Sequence, residues 1–242
     1  MWVWHSELSI GEPELRPTGR VMAKPPKFEP PRFIAIEGPI RVGKTSLADI
    51  LAQAMNAARL RDIEDNPFLE SFYEDKPGAA FKAQMYFLLH RYQKLLALDL
   101  AAHSGRTIVS DFMFEKDKIF AYLNLGNAEL QLYEEYFARF AEQVPVPDLV
   151  VYLQAKPETL RKRIGKKNLP MEHQISDEYL EEVGKAYEHF FFHYQRSNLL
   201  VIDTSEIDFI DRNEDLQKLL RRLSEPVEGT QYFLPLGSAS AD

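Results

Sequence analysis

Residues Phe33 to Ser46 read Phe-Ile-Ala-Ile-Glu-Gly-Pro-Ile-Arg-Val-Gly-Lys-Thr-Ser, and no other stretch limits the fold of this chain so strongly. The apolar run Phe33 to Ile36 is strand-like and ends just before Gly38. After four intervening residues come Gly43, Lys44 and Thr45, and then Leu47, Ala48, Ile50, Leu51 and Ala52 recur at helical spacing. The two glycines admit backbone conformations that a side chain forbids and bring N–H groups close to phosphate oxygens, while the new helix aims the positive end of its dipole at the same anion. On this reading Gly38, Pro39, Ile40, Arg41, Val42, Gly43, Lys44, Thr45 and Ser46 cradle a nucleoside triphosphate. Lys44 reaches the β- and γ-phosphates and Thr45 holds Mg²⁺. A Gly-Lys-Thr triple alone also occurs in surface turns; the strand before it and the helix after it supply the context this motif requires.

A chain of 242 residues, 45% of them hydrophobic, suffices for one α/β domain that buries about 70–75% of its unfolded surface. Cysteine is absent, which excludes disulfides and thiolate metal sites. His189 and His193 lie four apart, but no Glu follows the first, so they read as an ordinary helix face and not as a zinc site. The expected metal is Mg²⁺ on oxygen ligands. A net charge of −8 argues against a protein that coats nucleic acid, although local basic clusters still suit small anions. No apolar run approaches the length of a membrane span, about 18 residues. Residues 1–31 have neither a basic start nor an apolar core, so no signal peptide is expected and the cytoplasm is the default compartment. Prolines 13, 17, 25, 26, 30 and 31 make that stretch an extension outside the fold. The expected domain is 32–225, followed by a tail over 226–242.

Beyond the phosphate-loop helix, Ala57 to Ile63 reads as a short strand closing the first βαβ unit. Pro67 then turns the chain. Asp62, Glu64 and Asp65 fall at the carboxyl end of that strand, the edge where doubly wound sheets bind ligands; they read equally well as a solvated acidic turn. Ala79 to Leu100 carries an apolar stripe of Phe81, Met85, Leu88, Leu89, Tyr92, Leu95 and Leu96, which predicts a long helix. Gln84 and Arg91, seven apart, share a face of it: surface polar residues, or an amide and a guanidinium that meet one planar base. Arg106 to Asp111 is a strand ending in a carboxylate, which suits either a Mg²⁺-organising acid or a helix N-cap. Asp117 follows in the next helical turns. Glu129 to Gln143 reads as a core-packing helix and Asp148 to Leu153 as a buried strand. Pro157 to Ile164 is a helix, and Arg161, Lys162, Arg163, Lys166 and Lys167 cluster towards its end. These cations either complement the helix dipole in water or close as a lid over a transferring phosphoryl group. A helix over Asp177 to Tyr194 and a last strand over Leu199 to Thr204 complete a three-layer α/β fold, a central parallel sheet flanked by helices.

The order GPIRVGKTS, EDNPFLESFYED, the Gln84-to-Arg91 helix, SDFMFEKDKIFA, PDLVVYLQAKPETLRKRI and the EYL helix resembles the bacterial deoxynucleoside kinases, deoxyguanosine and deoxyadenosine kinases in particular, over about Arg32 to Ile210. The resemblance implies a phosphate-loop kinase fold, ATP and Mg²⁺ as cofactors, and transfer of the γ-phosphoryl group to the 5′-hydroxyl of a deoxynucleoside, a purine by overall likeness. It implies that Gln84 and Arg91 bind the base with Asp117 beside them, and that Tyr73 and Glu172 hold the sugar 3′-hydroxyl. Arg163 and Lys167 become lid cations, and Asp111 the acid that ends the third strand. Three departures from the pattern stand out, at four positions. Arg61 stands where the family often has its general base, which makes Asp62 the first candidate for that role and Glu64 the second. Phe112 stands where an arginine often follows the acid. In the lid, Leu169 and Lys167 occupy positions that are often arginine, and lysine lacks the bidentate fork. These departures leave two alternatives: a kinase-fold binding module without activity, and a nucleoside monophosphate kinase. The latter would need added cations where Asp62 to Tyr73 offers acids. The helices Ala79 to Leu100 and Glu129 to Gln143 offer a surface for a homodimer.

Overall fold

The computed structural model describes residues 31–98, 106–168 and 175–236. The extension expected before Arg32 lies outside these residues except for Pro31, as do Leu169 and Glu172. Strand β1 (Phe33–Glu37) is buried along its whole length, because helices cover both faces of a parallel sheet. Its side chains alternate accordingly. Ile34 and Ile36 pack with Leu47, Leu51 and Leu219 from helices α1 (Lys44–Ala54) and α8 (Asn213–Leu223). Ala35 faces the opposite layer, where α4 (Lys116–Asn124) and α7 (Asp177–Phe192) contribute Ile119, Val183, Tyr187 and Phe191. Phe33 joins Leu88 of α3 (Ala79–Leu96) and Tyr133 and Phe137 of α5 (Asn127–Ala141). The three-layer expectation holds.

The sheet is parallel throughout, in the order β2-β3-β1-β4-β5-β6. Strand β2 (Ala58–Leu60) is shorter than its expected span and does not neighbour β1; β3 (Ile108–Ser110) lies between them, so the first crossover skips a position. Strand β4 (Leu149–Gln154) takes the other side of β1. The chain thus departs from β1 towards one edge and returns to build the other, which opens a crevice at the carboxyl ends of β1 and β3. Helices α2 (Leu69–Tyr73) and α6 (Pro157–Lys167) flank that crevice.

Strand β5 (Asn198–Asp203) is not the last. Residues Thr230–Phe233 form β6, paired with β5 from Leu199–Thr230 to Ile202–Phe233. The tail expected from Pro226 onward therefore contributes the edge of the sheet. Phe233 packs against the core while Tyr232 is 64% exposed, which gives the aromatic pair its role.

Candidate active site

The phosphate loop has the strained backbone its sequence requires. Gly38 and Gly43 take φ values of 148° and 112°. A Cβ on Gly38 would lie 2.3 Å from the carbonyl oxygen of Leu153, and one on Gly43 would lie 2.7 Å from the Phe209 ring. Helix α1 starts directly at Lys44. The Lys44 ammonium donates to the carbonyl oxygens of Gly38 (2.8 Å) and Pro39 (2.9 Å). Burial, with Lys116 adding repulsion, lowers its pKa to about 8. Behind the loop, the fully buried Glu37 accepts the N–H groups of Gly38 (3.1 Å) and Met113 (2.9 Å), tying the loop to the segment after β3.

Thr45 Oγ1 donates to Asp111 Oδ2 at 2.8 Å. Asp111 follows β3 directly, so the acid expected at the strand end meets the phosphate-loop threonine across the crevice. A hydroxyl and a carboxylate are hard oxygen donors, which fits Mg²⁺ shared with phosphate oxygens. Burial pushes the Asp111 carboxyl up, but Arg59, 2.8 Å away, and Thr45 outweigh it and hold it below the usual range.

Asp62 points into the cavity and Arg61 points away from it. Arg61 is exposed and pairs with Asp49 of α1 at 3.0 Å. Arg91 grips Asp62 at both oxygens, Nε to Oδ1 and Nη2 to Oδ2, each at 2.9 Å, and Lys116 Nζ adds a third contact at 2.9 Å. Burial opposes ionisation of Asp62, but the two cations dominate and keep its carboxyl well below the usual carboxylate range. Glu64 is exposed and does not line the cavity, so the second candidate base is not brought to the site.

Gln84 and Arg91 share the buried face of α3 and line the cavity together, with Phe87 under the guanidinium at 4.6 Å. Asp117 differs from its expected place at the base edge: it is fully buried behind these two residues. Its main-chain oxygen accepts from Gln84 Nε2 at 2.9 Å, its Oδ1 accepts from the same amide, and its Oδ2 lies 3.4 Å from Arg91 Nη1. Burial, against the charge of Arg91, pushes Asp117 up to about 7.

The cationic helix is divided. Arg163, expected in the lid, donates to the carbonyl oxygens of Val42 (2.9 Å), Thr204 (2.9 Å) and Ile207 (3.2 Å) and to Thr204 Oγ1 (3.1 Å). It staples the phosphate loop to the segment after β5. Lys166 pairs with Asp211, and Lys167 is exposed at the cavity rim. Tyr73 lines the wall beside Ile40. Sequence reasoning missed Lys116, Phe87, Arg59 and Glu37. Only Lys116 had a visible signal, a cation at the start of a helix.

These groups enclose one cavity of about 720 Å³. Lys44 and Thr45 stand on one wall, Gln84, Phe87 and Arg91 on the other, with Asp62 and Lys116 between them. Its size and mixed lining suit a nucleoside beside a phosphate chain.

The deoxynucleoside kinase family model matches residues 34–228. The deoxyguanosine kinase of Bacillus subtilis is 33% identical over 201 residues, spanning 80% of this chain and 96% of its own. A deoxyadenosine kinase of Lactobacillus acidophilus is 28% identical, spanning 80% and 95%. The fold matches that of a solved M. mycoides deoxyadenosine kinase bearing dCMP and dCDP, with a TM-score of 0.67, 24% identity, and coverage of 79% of this chain and 97% of that one. With its phosphate loop, strand-end acid and buried Gln84–Arg91 face all meeting at one crevice, the chain belongs to the deoxynucleoside kinase family.

Proposed function

We propose that the protein transfers the γ-phosphoryl group of ATP to the 5′-hydroxyl of a deoxynucleoside, with a purine as the preferred base. The observation that carries this reading is the single cavity in which Asp62 lies between the phosphate loop and the Gln84–Arg91 wall. The base lies against Gln84, Phe87 and Arg91, with Tyr73 and Glu172 assigned to the sugar. Asp62 accepts the hydroxyl proton. Its low basicity suffices, because a loose phosphoryl transition state asks for positioning and charge stabilisation more than for a strong base. Thr45 and Asp111 would hold Mg²⁺, which when bound neutralises charge on the β- and γ-phosphate oxygens. Lys44 binds those oxygens and Lys167 approaches from the rim. The purine preference follows the names of the relatives, deoxyguanosine and deoxyadenosine kinases.

Among the described residues no helix is long and apolar enough to cross a membrane. The absence of cysteine suits a reducing compartment, and we assign the protein to the cytoplasm. Helices α3 and α5 leave Leu89, Leu96, Leu132 and Tyr136 on the surface, which favours a homodimer through this face, testable by light scattering.

The direct test is a panel of deoxynucleosides with Mg-ATP. Purine deoxynucleosides are expected to turn over fastest, with activity lost on Lys44→Ala. No 5′-monophosphate from any of them would overturn the reading, and preference for a nucleoside monophosphate acceptor would replace it.

A further inference from the structure

We infer that Lys116 is a catalytic residue, whose ammonium contacts the γ-phosphoryl group while it is transferred. The inference rests on the kinase reading and adds to it a cation outside the residues assigned from the sequence.

Lys116 stands where a lysine is costly. It is 8% exposed, and it is the first residue of α4, where the helix dipole repels a positive charge. It also lies near Lys44, whose ammonium it perturbs. A lysine carried only for solubility would extend into water. Arg91 already grips both Asp62 oxygens at 2.9 Å, so Lys116 is the second cation on that carboxylate. Its ammonium stands among the acids Asp62, Glu37 and Asp117 and also faces the cavity.

The other inner cations are engaged elsewhere. Arg163 uses its donors on four oxygens of its own chain. Arg59 is held by Asp49 and Asp111, and Phe112 beside Asp111 is fully buried among Leu88, Phe114 and Tyr133. Lys44, half-buried on the phosphate loop, and Lys116, buried beside the proposed base, both present ammonium groups to the cavity. An anion passing between loop and base meets both.

In the transfer step the 5′-oxygen forms a bond to Pγ, the bond from Pγ to the bridging β–γ oxygen breaks, and its electron pair leaves on ADP. The hydroxyl proton goes to Asp62. Lys116 donates a hydrogen bond to an equatorial γ-oxygen, a contact that strengthens as charge moves there.

The rival role is positioning: Lys116 merely steadies Asp62. A double-mutant cycle separates the two. Lys116→Gln is expected to lower kcat about 100-fold or more, with nucleoside KM within about threefold, a pattern that marks contact made in the transition state. The same loss is expected in an Asp62→Asn background, which has no carboxylate to steady. Lys116→Arg is expected to recover part of the activity. If Lys116→Gln is silent in the Asp62→Asn background, or acts through KM alone, the inference is overturned. Binding of ADP with aluminium fluoride and deoxynucleoside gives a second readout: Lys116→Gln should weaken it at least tenfold while leaving ATP affinity within threefold, and equal binding by wild type and variant overturns the inference. Should Lys116→Gln not fold, Lys116→Met takes its place in both assays. Wild-type protein is scored first. No wild-type turnover overturns the kinase reading and this inference together, whereas turnover matched by the Lys116 variants overturns this inference alone.

Discussion

Arg91 and Asp62, 29 residues apart in sequence, meet in a two-point ion pair with both contacts at 2.9 Å and side chains only 5% and 17% exposed. The residue assigned to the base and the residue assigned to the proton are thus one electrostatic unit. Breaking a buried pair costs about 3–5 kcal/mol where the remaining charge is left alone; here Lys116 stays on Asp62 when Arg91 is removed, so the loss falls towards the lower end of that range. Arg91→Gln is expected to lower the melting temperature by several degrees and raise nucleoside KM. The double variant Arg91→Gln/Asp62→Asn should regain much of the stability and none of the activity. Calorimetry and steady-state kinetics on the same preparations check both.

Lys44 makes nucleotide binding sensitive to alkaline pH. Its ammonium is lowered to about 8 in the free protein, and a bound triphosphate supplies the charge that restores it. ATP binding at pH 8–9 is expected to take up a proton, read by calorimetry in buffers of different ionisation enthalpy, and affinity should fall as pH rises above 8. The effect on folding has the opposite sign. Between about 8 and 10.5 the unfolded chain binds more protons at this residue, so its contribution to stability increases with pH. Lys44→Ala should abolish the proton uptake.

Asp117 should leave its mark on the acid side of neutrality. With its carboxyl pushed up from 3.8 to about 7, the folded protein binds the extra proton between those values. Its contribution to stability is therefore lost as pH rises through that window. Asp117→Asn is expected to flatten the dependence of denaturant midpoint on pH between 5 and 7.5. Nucleoside KM should also change near pH 7 in the wild type and not in the variant, because the Asp117 carboxyl, whose oxygens hold Gln84 and Arg91, is itself the group that titrates.

Gly38→Ala tests the strained loop. The added methyl would collide with a backbone oxygen at 2.3 Å, and a φ of 148° already disfavours any side chain. Strain of about 1–3 kcal/mol is expected, and ATP affinity should suffer more than nucleoside affinity. Titrations with each ligand separately check the asymmetry.

The phosphate loop was legible because everything it needs lies within fourteen consecutive residues. Gln84 and Arg91 were legible as a pair because a helix fixes their common face. Insertion of β3 between β1 and β2 was not, since strand order is set by pairings between distant segments. Strand β6 escaped because it is a short, half-exposed edge whose first residues are Thr230 and Gln231. Arg163 read as a free cation because its partners are mostly backbone carbonyls, which leave no trace in side-chain patterns. Asp117 was found, but not its position behind Gln84 and Arg91; one residue along a helix separates a cavity-lining side chain, Lys116, from a buried one.

The staple made by Arg163 also divides helix α6 into two unequally held parts. Up to that residue the helix is fastened to two loops of the sheet edge. Two residues on, Gly165 has no neighbour within 4 Å of where a Cβ would be, and it sits inside a helix, where glycine is the weakest ordinary residue. Lys166 and Lys167 beyond it are exposed, and Lys166 holds on through a surface ion pair. The helix is thus riveted by Arg163 from within, while its last two lysines stand exposed at the mouth of the cavity, clear of the core that holds the rest of it.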